Sequence, residues 1–312
     1  MMKQKEQLRY IAVLPSVITL MNGFFGFLAI MMASYAGLRW QFPMLNVRSF
    51  SYSETAVLMV YMGMLADMFD GMVARSAGVT SPFGAQLDSL CDAVSFGVAP
   101  ALIAFKMFSA ELVEMRASGF AQASVMGRWA LFGAIIYAMC ALVRLARFNV
   151  ETDADAASHM SFTGLPSPAA AGFIVSLVLF HEGFLPSIAA RFSSHADFAY
   201  GLERIIFWSI PFALCAMGLL MVSRIAYPHL ANRLFKGKQP FHILIVVIFV
   251  VMFVIWNFHI AILLGFSAFV VYGLACWLME KLKRTGGGAG DSGDSASGDG
   301  DSTSGDGDSA NG

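Results

Sequence analysis

From residue 10 to residue 38 the chain carries no charged side chain. At about 1.5 Å per residue, a helix of that length exceeds the roughly 30 Å hydrocarbon core of a bilayer. In lipid every backbone N–H and C=O must find a partner within the protein, so only helices and closed barrels can span. Long apolar runs without strict alternation select helices. Comparable runs recur at 54–75, 82–108, 129–148, 205–222, 243–256 and 260–279, and another opens at the Pro166–Pro168 turn and ends near 185. The pattern predicts an all-α polytopic membrane helical bundle of about eight transmembrane helices. The sequence is 57% hydrophobic and only 13% charged, so the apolar runs leave no room for a soluble domain.

Charge and cysteine content narrow the function. The net charge of −1 makes no case for binding nucleic acid, and the expected partner is the lipid bilayer. Cys91, Cys140, Cys215 and Cys276 lie far apart in apolar runs. They read as small buried hydrophobes rather than a disulfide framework or a zinc site. The first apolar run is too long for a cleavable signal peptide. Residues 111–128 and 186–203 read as polar connections, and His159 and His181 as ordinary loop or interfacial histidines. The end of the chain holds only Gly, Ser, Asp, Ala, Thr and Asn beyond residue 285. It has no large apolar residue to offset the entropy of ordering, so disorder is expected.

One stretch breaks the apolar rule. It reads Asp67-Met-Phe-Asp70-Gly71-Met-Val-Ala74-Arg75, eight residues, then Gly84-Ala-Gln-Leu-Asp88-Ser-Leu-Cys-Asp92. On a helix Asp67, Gly71 and Ala74 follow one face, with Asp70 beside Asp67. On the next helix Gly84, Asp88 and Asp92 fall at i, i+4 and i+8. Ser81-Pro82 breaks the chain between them, and Pro suits a first helical turn. Two closely coupled helices therefore aim two pairs of carboxylates at one another. An ionised Asp inside a membrane helix costs about 2.5–3.5 kcal/mol on insertion scales. Four like charges also repel. Helix caps and solvated loop acids would explain one Asp, not four at this spacing. Hard divalent cations with oxygen ligands relieve both penalties, and the cluster reads as a site for Mg²⁺ or Mn²⁺. Four carboxylates can hold two ions, an arrangement suited to displacement at phosphorus.

Two further groups stand out. Thr19, Asn22 and Gly26 fall at i, i+3 and i+7, a polar and small stripe in the first apolar run. The glycines suit tight helix packing, while Thr19 and Asn22 equally suit a ligand cavity. Arg144 and Arg147 share a face near the end of the fourth run, followed by Asn149. They fit either a positive-inside anchor or an anion clamp. With the N-terminus in the cytoplasm and eight spans, the basic residues favour the cytoplasmic segments. That orientation places the Asp cluster and Arg144 to Asn149 on the cytoplasmic side of the cell inner or plasma membrane. A cation-coupled transporter is the distant alternative, but the chain shows one acidic cluster and no second, inverted copy.

The pattern D-x2-D-G-x2-A-R-x8-G-x3-D-x3-D resembles the signature of the CDP-alcohol phosphotransferase family at every fixed position. Three further stretches are similar to integral-membrane phosphatidylserine synthases. They are Leu14 to Asn22 with Gly26, Ser95 to Pro100, and Arg144 to Asn149 with Phe162 to Pro168. The resemblance covers residues 14–225. It implies a six-helix catalytic core within a domain at 1–225, followed by a basic loop and hairpin at 226–284 and the tail at 285–312. It implies that CDP-diacylglycerol and serine are the substrates, giving phosphatidylserine and CMP. By resemblance, Asp67, Asp70, Asp88 and Asp92 ligate two divalent ions, and Asp92 is also the catalytic base. Thr19, Asn22, Asp67, Gly71, Ala74, Arg75 and Gly84 face the CDP-lipid, and Arg144, Arg147 and Asn149 face the acceptor. The same signature serves other acceptors, among them glycerol phosphate, inositol phosphate and choline. A homodimer is expected from the family.

Overall fold

The computed structural model describes residues 2–40, 50–77, 82–119, 122–154, 164–184, 196–225 and 257–286. Its helices are α1 (Met2–Ala33), α2 (Tyr52–Ala77), α3 (Pro82–Asp92), α4 (Ala99–Ala117), α5 (Ala123–Ala154), α6 (Ser167–Leu179), α7 (Ala196–Val222) and α8 (Phe258–Gly286). A π-helical segment, Ala93–Val98, joins α3 to α4, and a second, Phe180–Phe184, extends α6. Among the described residues seven helical stretches are long and apolar enough to cross a bilayer. They begin at Ser16, Tyr52, Phe83, Ala123, Ser167, Tyr200 and Phe258. The protein is an integral membrane helical bundle. The expected span at 243–256 and the tail beyond 286 lie outside the described residues. Among those residues, β structure is confined to an antiparallel ladder of Arg39–Trp40 with Phe50–Ser51.

Helix α2 starts with a reciprocal cap. The Ser51 N–H donates to Glu54 Oε2 at 2.7 Å, and the Glu54 N–H donates to Ser51 Oγ at 3.0 Å. This is a capping box, satisfying two donors that a helix start leaves open.

Helix α6 is the most enclosed span, and it packs against α2, α4, α7 and α8. Its Ala170, Ala171, Ile174, Val175 and Val178 are buried. Small residues let neighbouring helices approach where lipid supplies no hydrophobic drive. The same device brings α5 against α7: a Cβ on Gly133 would lie 2.8 Å from the Pro211 carbonyl oxygen. Phe108 and Phe207 stack at 4.3 Å between α4 and α7.

Three local expectations are corrected. Helix α4 continues to Ala117, so the connection to α5 is much shorter than 111–128. Leu112 is buried and Met115 packs on the core, while Glu111 and Glu114 turn toward Arg204 and Trp208. Polar and apolar faces thus separate along one helix. Helix α7 begins at Ala196 rather than after 203, because Leu202 packs on the core and Glu203 turns toward His181. His181 is no loop residue: it is buried in the second π segment, with Nε2 4.0 Å from Glu203. His159 lies outside the described residues.

The first π segment has a clear chemical logic. Pro100 lacks the N–H that would bond the Phe96 carbonyl in an α-helix. The Tyr137 hydroxyl donates to that carbonyl instead, at 3.0 Å, and both Tyr137 and Phe96 are fully buried. The segment thereby rotates the chain between Asp92 and Pro100 and joins α3 to α4 without a loop.

Candidate active site

The site forms where α2 and α3 pack on the middle of α1 and the end of α5 comes up to α3. Asp67, Asp88 and Asp92 each place one carboxylate oxygen within 4.8 Å of the others. All three are partly exposed. Asp70, one turn from Asp67, is buried and stands apart from this trio. Its Oδ2 accepts the Thr19 hydroxyl, and its Oδ1 has no hydrogen-bond partner among the described residues.

Helix α1 braces the aspartates. Asn22 is fully buried, and its Nδ2 donates to Asp92 Oδ1 at 2.9 Å. The Ser95 hydroxyl donates to the Asn22 carbonyl at 2.9 Å. This contact needs close approach. A Cβ on Gly23 would lie 2.8 Å from Cys91 Sγ, and one on Gly26 would collide with Ser95. Thr19 and Asn22, expected to face the CDP-lipid, thus bond directly to two of the four aspartates. Gly26, on the same stripe, serves packing.

The end of α5 supplies the cationic side. Arg144 Nη1 donates to Ser167 Oγ at 2.7 Å, its Nε is buried without a partner among the described residues, and its charge acts on Asp92. Ser167 is held by the turn before α6. Gly164 has φ of 92°, its N–H donates to the Ile225 carbonyl at 2.8 Å, and a Cβ there would strike the Met221 carbonyl. Only glycine fits such a turn at low cost. Asn149 Oδ1 accepts the Ser89 hydroxyl at 2.8 Å, tying α5 to α3 next to Asp88. Arg147 lies one turn beyond Arg144 on α5, half-buried. Gly71 follows Asp70 on α2, and Gly84 lies in the first turn of α3. Ala74 and Arg75 lie near the end of α2, with side chains outside those described.

The donor set suits a hard divalent cation. Three carboxylate oxygens converge, and a fourth buried carboxylate oxygen lacks a partner nearby. Like charges this close repel unless a cation lies among them. Thiolate and imidazole ligands are absent from the trio, which disfavours softer metals. Sequence reasoning missed Ser167, Ser89 and Tyr137 as supporting residues. Their signal was a hydroxyl within an otherwise apolar helix or next to a motif residue.

The profile of the CDP-alcohol phosphatidyltransferase family matches residues 12–213. The CDP-diacylglycerol–serine O-phosphatidyltransferase of Helicobacter pylori (strain ATCC 700392 / 26695) is 29% identical over 269 residues, covering 86% of this chain and 92% of the relative. The enzyme of that name from Methanocaldococcus jannaschii is 30% identical, covering 73% of this chain and 80% of the relative. The archaetidylserine synthase of Methanothermobacter thermautotrophicus is 31% identical over 73% of this chain and 74% of its own length. With the aspartate signature, its clustered carboxylates and a profile match that runs from α1 into α7, the chain belongs to the CDP-alcohol phosphatidyltransferase family.

Proposed function

We propose that the chain transfers the phosphatidyl group of CDP-diacylglycerol to the hydroxyl of L-serine, giving phosphatidylserine and CMP. The observation that carries this reading is the convergence of Asp67, Asp88 and Asp92 beside Arg144. A carboxylate cluster suits the pyrophosphate through divalent ions, and a guanidinium suits the carboxylate of the amino-acid acceptor. That relatives named for serine transfer span most of the chain supports serine over glycerol phosphate, inositol phosphate or choline.

In this reading Asp67, Asp70, Asp88 and Asp92 hold two ions, Mg²⁺ or Mn²⁺. Such ions, when bound, would supply positive charge beside the pyrophosphate and the departing CMP. Asp92 takes the proton of the serine hydroxyl as its oxygen attacks the phosphorus that bears diacylglycerol. The new P–O bond replaces the bond to CMP, which leaves as the anion. Asn22 fixes the orientation of Asp92, and Thr19 that of Asp70. Gly71, Ala74 and Gly84 leave room for the nucleotide, and Arg75 pairs with its phosphate. Arg144, Arg147 and Asn149 receive the acceptor, with Ser167 holding Arg144. The site faces the cytoplasm from the inner or plasma membrane, and the working enzyme is a homodimer.

The test is product analysis with purified protein, CDP-diacylglycerol, a divalent salt and a panel of labelled acceptors. Phosphatidylserine and CMP in equal amounts are expected from serine. Product from glycerol phosphate, inositol phosphate or choline but none from serine would overturn the acceptor assignment.

A further inference from the structure

A cleft of about 510 Å³ lies between the end of α4 and the first turns of α7. Sites for small ligands span roughly 300–1,000 Å³. Glu111, Glu114, Met115 and the capping residue Ser118 line one side, and Arg204 and Trp208 the other. The spacings i, i+3 and i, i+4 put each charged set on one helix face. Trp208 is fixed by edge contacts with Phe108 at 6.0 Å and Phe207 at 5.1 Å.

The cleft is remote from the aspartates. From Asp92 the chain stays helical through the π segment to Ala117, a rise of roughly 35 Å. That distance matches the roughly 30 Å hydrocarbon core of a bilayer. The cleft therefore opens at the membrane face opposite the Asp67, Asp88 and Asp92 trio, at headgroup level, where tryptophan is favoured.

Its charges are sorted rather than paired. Among the described residues Arg204 forms no ion pair with Glu111 or Glu114, so opposite charges face one another across open volume. The neighbouring Glu203 turns instead to His181 Nε2, at 4.0 Å. The C-terminal end of α4 adds partial negative charge on the acidic side. A ligand that bridges the cleft needs a cation for the acid pair and an anion for the guanidinium. A primary ammonium has three donors to share between two carboxylates, and an indole face beside it adds attraction. Guanidinium suits a phosphodiester. A further carboxylate on the ligand would lie against Glu111 and Glu114, which disfavours a serine headgroup.

We propose that this cleft binds the headgroup of an aminophospholipid from the leaflet opposite the aspartates. The primary ammonium lies between Glu111 and Glu114 beside Trp208, and the phosphodiester lies on Arg204. Such a site is separate from the transfer reaction, and its occupancy is read without turnover.

The test measures the apparent Kd of dioctanoylphosphatidylethanolamine from the rise in Tm of the purified full-length protein in detergent. Dioctanoylphosphatidylglycerol, which keeps the phosphate and lacks the ammonium, is expected to bind at least about tenfold more weakly, the effect of losing one bond to a charged group. The double variant Glu111→Gln with Glu114→Gln should weaken phosphatidylethanolamine binding by at least the same factor and leave phosphatidylglycerol no weaker. Arg204→Gln should weaken both lipids. Equal affinity for the two lipids in the wild type would overturn the proposal, a comparison that stands even where a variant fails to fold. Phosphatidylethanolamine binding unchanged in all the variants would place the lipid elsewhere and also overturn it. Free phosphoethanolamine raising Tm as much as the lipid at equal concentration would assign the cleft to a soluble ligand and overturn the lipid assignment. A loss of serine transfer in the wild type would bear only on the function proposed above.

Discussion

Asn22 on α1 donates its side-chain amide to Asp92 Oδ1 at 2.9 Å, across a contact that Gly23 and Gly26 make close enough to form. The bond holds one of the two Asp92 oxygens against α1. The Asn22 backbone carbonyl in turn accepts the Ser95 hydroxyl, which ties the same turn of α1 to the π segment. Removing one partner from a buried polar pair costs about 1–3 kcal/mol. Groups that orient metal ligands typically change affinity or activity by about 10–100-fold when lost. Asn22→Ala is therefore expected to lower kcat by about that factor and to raise the divalent-ion concentration needed for half-maximal rate. Titration of activity with Mg²⁺ and Mn²⁺ at matched membrane abundance checks it. An unchanged ion requirement would make Asn22 a packing residue only.

The trio itself makes a sharper demand. Asp67→Asn, Asp88→Asn and Asp92→Asn should each abolish most turnover while the protein still inserts, because each removes one of three converging carboxylates. Loss of a positioned base alone costs about 10²–10⁴-fold in rate. Chelation should silence the wild type, and added Mn²⁺ or Mg²⁺ should restore it. Asp70 is a separate case, since it stands outside the trio and is bonded to Thr19. Thr19→Val should weaken ion binding if Asp70 is a ligand, and leave the ion titration unmoved if Asp70 only braces α1 against α2.

Much of this arrangement was legible because the bilayer makes charge so costly. Four aspartates in apolar helices had to converge on something, and their spacing named the faces. The stripe of Thr19, Asn22 and Gly26 was visible as a period, but not its partners, since a hydroxyl and an amide bond equally well to ligand or protein. Arg144 showed the same ambiguity between anchor and clamp, since neither its contact with Ser167 nor its nearness to Asp92 could be read along the chain. The π segment after Asp92 was not legible. It depends on Pro100 removing a donor and on Tyr137, 37 positions further on, replacing it. Helix ends at 117 and 196 were missed because clustered charges resemble a loop until one face is known to be buried.

That tyrosine makes its own prediction. Tyr137→Phe leaves the buried Phe96 carbonyl without its donor, at the same cost of about 1–3 kcal/mol. The main effect should be on stability, with Tm in detergent falling and the KM for serine unchanged. A raised serine KM with Tm intact would move Tyr137 into acceptor recognition, since it lies beneath Arg144 in electrostatic reach.

The clearest discrimination concerns Arg144 and Arg147. Arg144 has one guanidinium nitrogen on Ser167 and a buried Nε without a partner among the described residues, in the field of Asp92. A fork held at one end and open at another suits a carboxylate arriving from the side of α5. If the serine carboxylate docks there, Arg144→Lys keeps the charge, loses the fork and raises the KM for serine, while the KM for CDP-diacylglycerol changes much less. Arg144→Ala costs more, since a charge left without its partner loses roughly 2–5 kcal/mol. Ser167→Ala should reproduce a milder form of Arg144→Lys, because it frees the guanidinium without removing it. Arg147 is tested in parallel, and a shift in one of the two assigns the clamp to that residue. A topological anchor behaves otherwise: Lys serves the positive-inside rule as well as Arg, so both Arg→Lys variants would be silent. The deciding measurement is the serine KM of the two Lys variants and Ser167→Ala in correctly oriented, purified enzyme. If none of the three moves, the clamp is wrong and the acceptor docks near Asn149, whose bond to Ser89 places it beside Asp88.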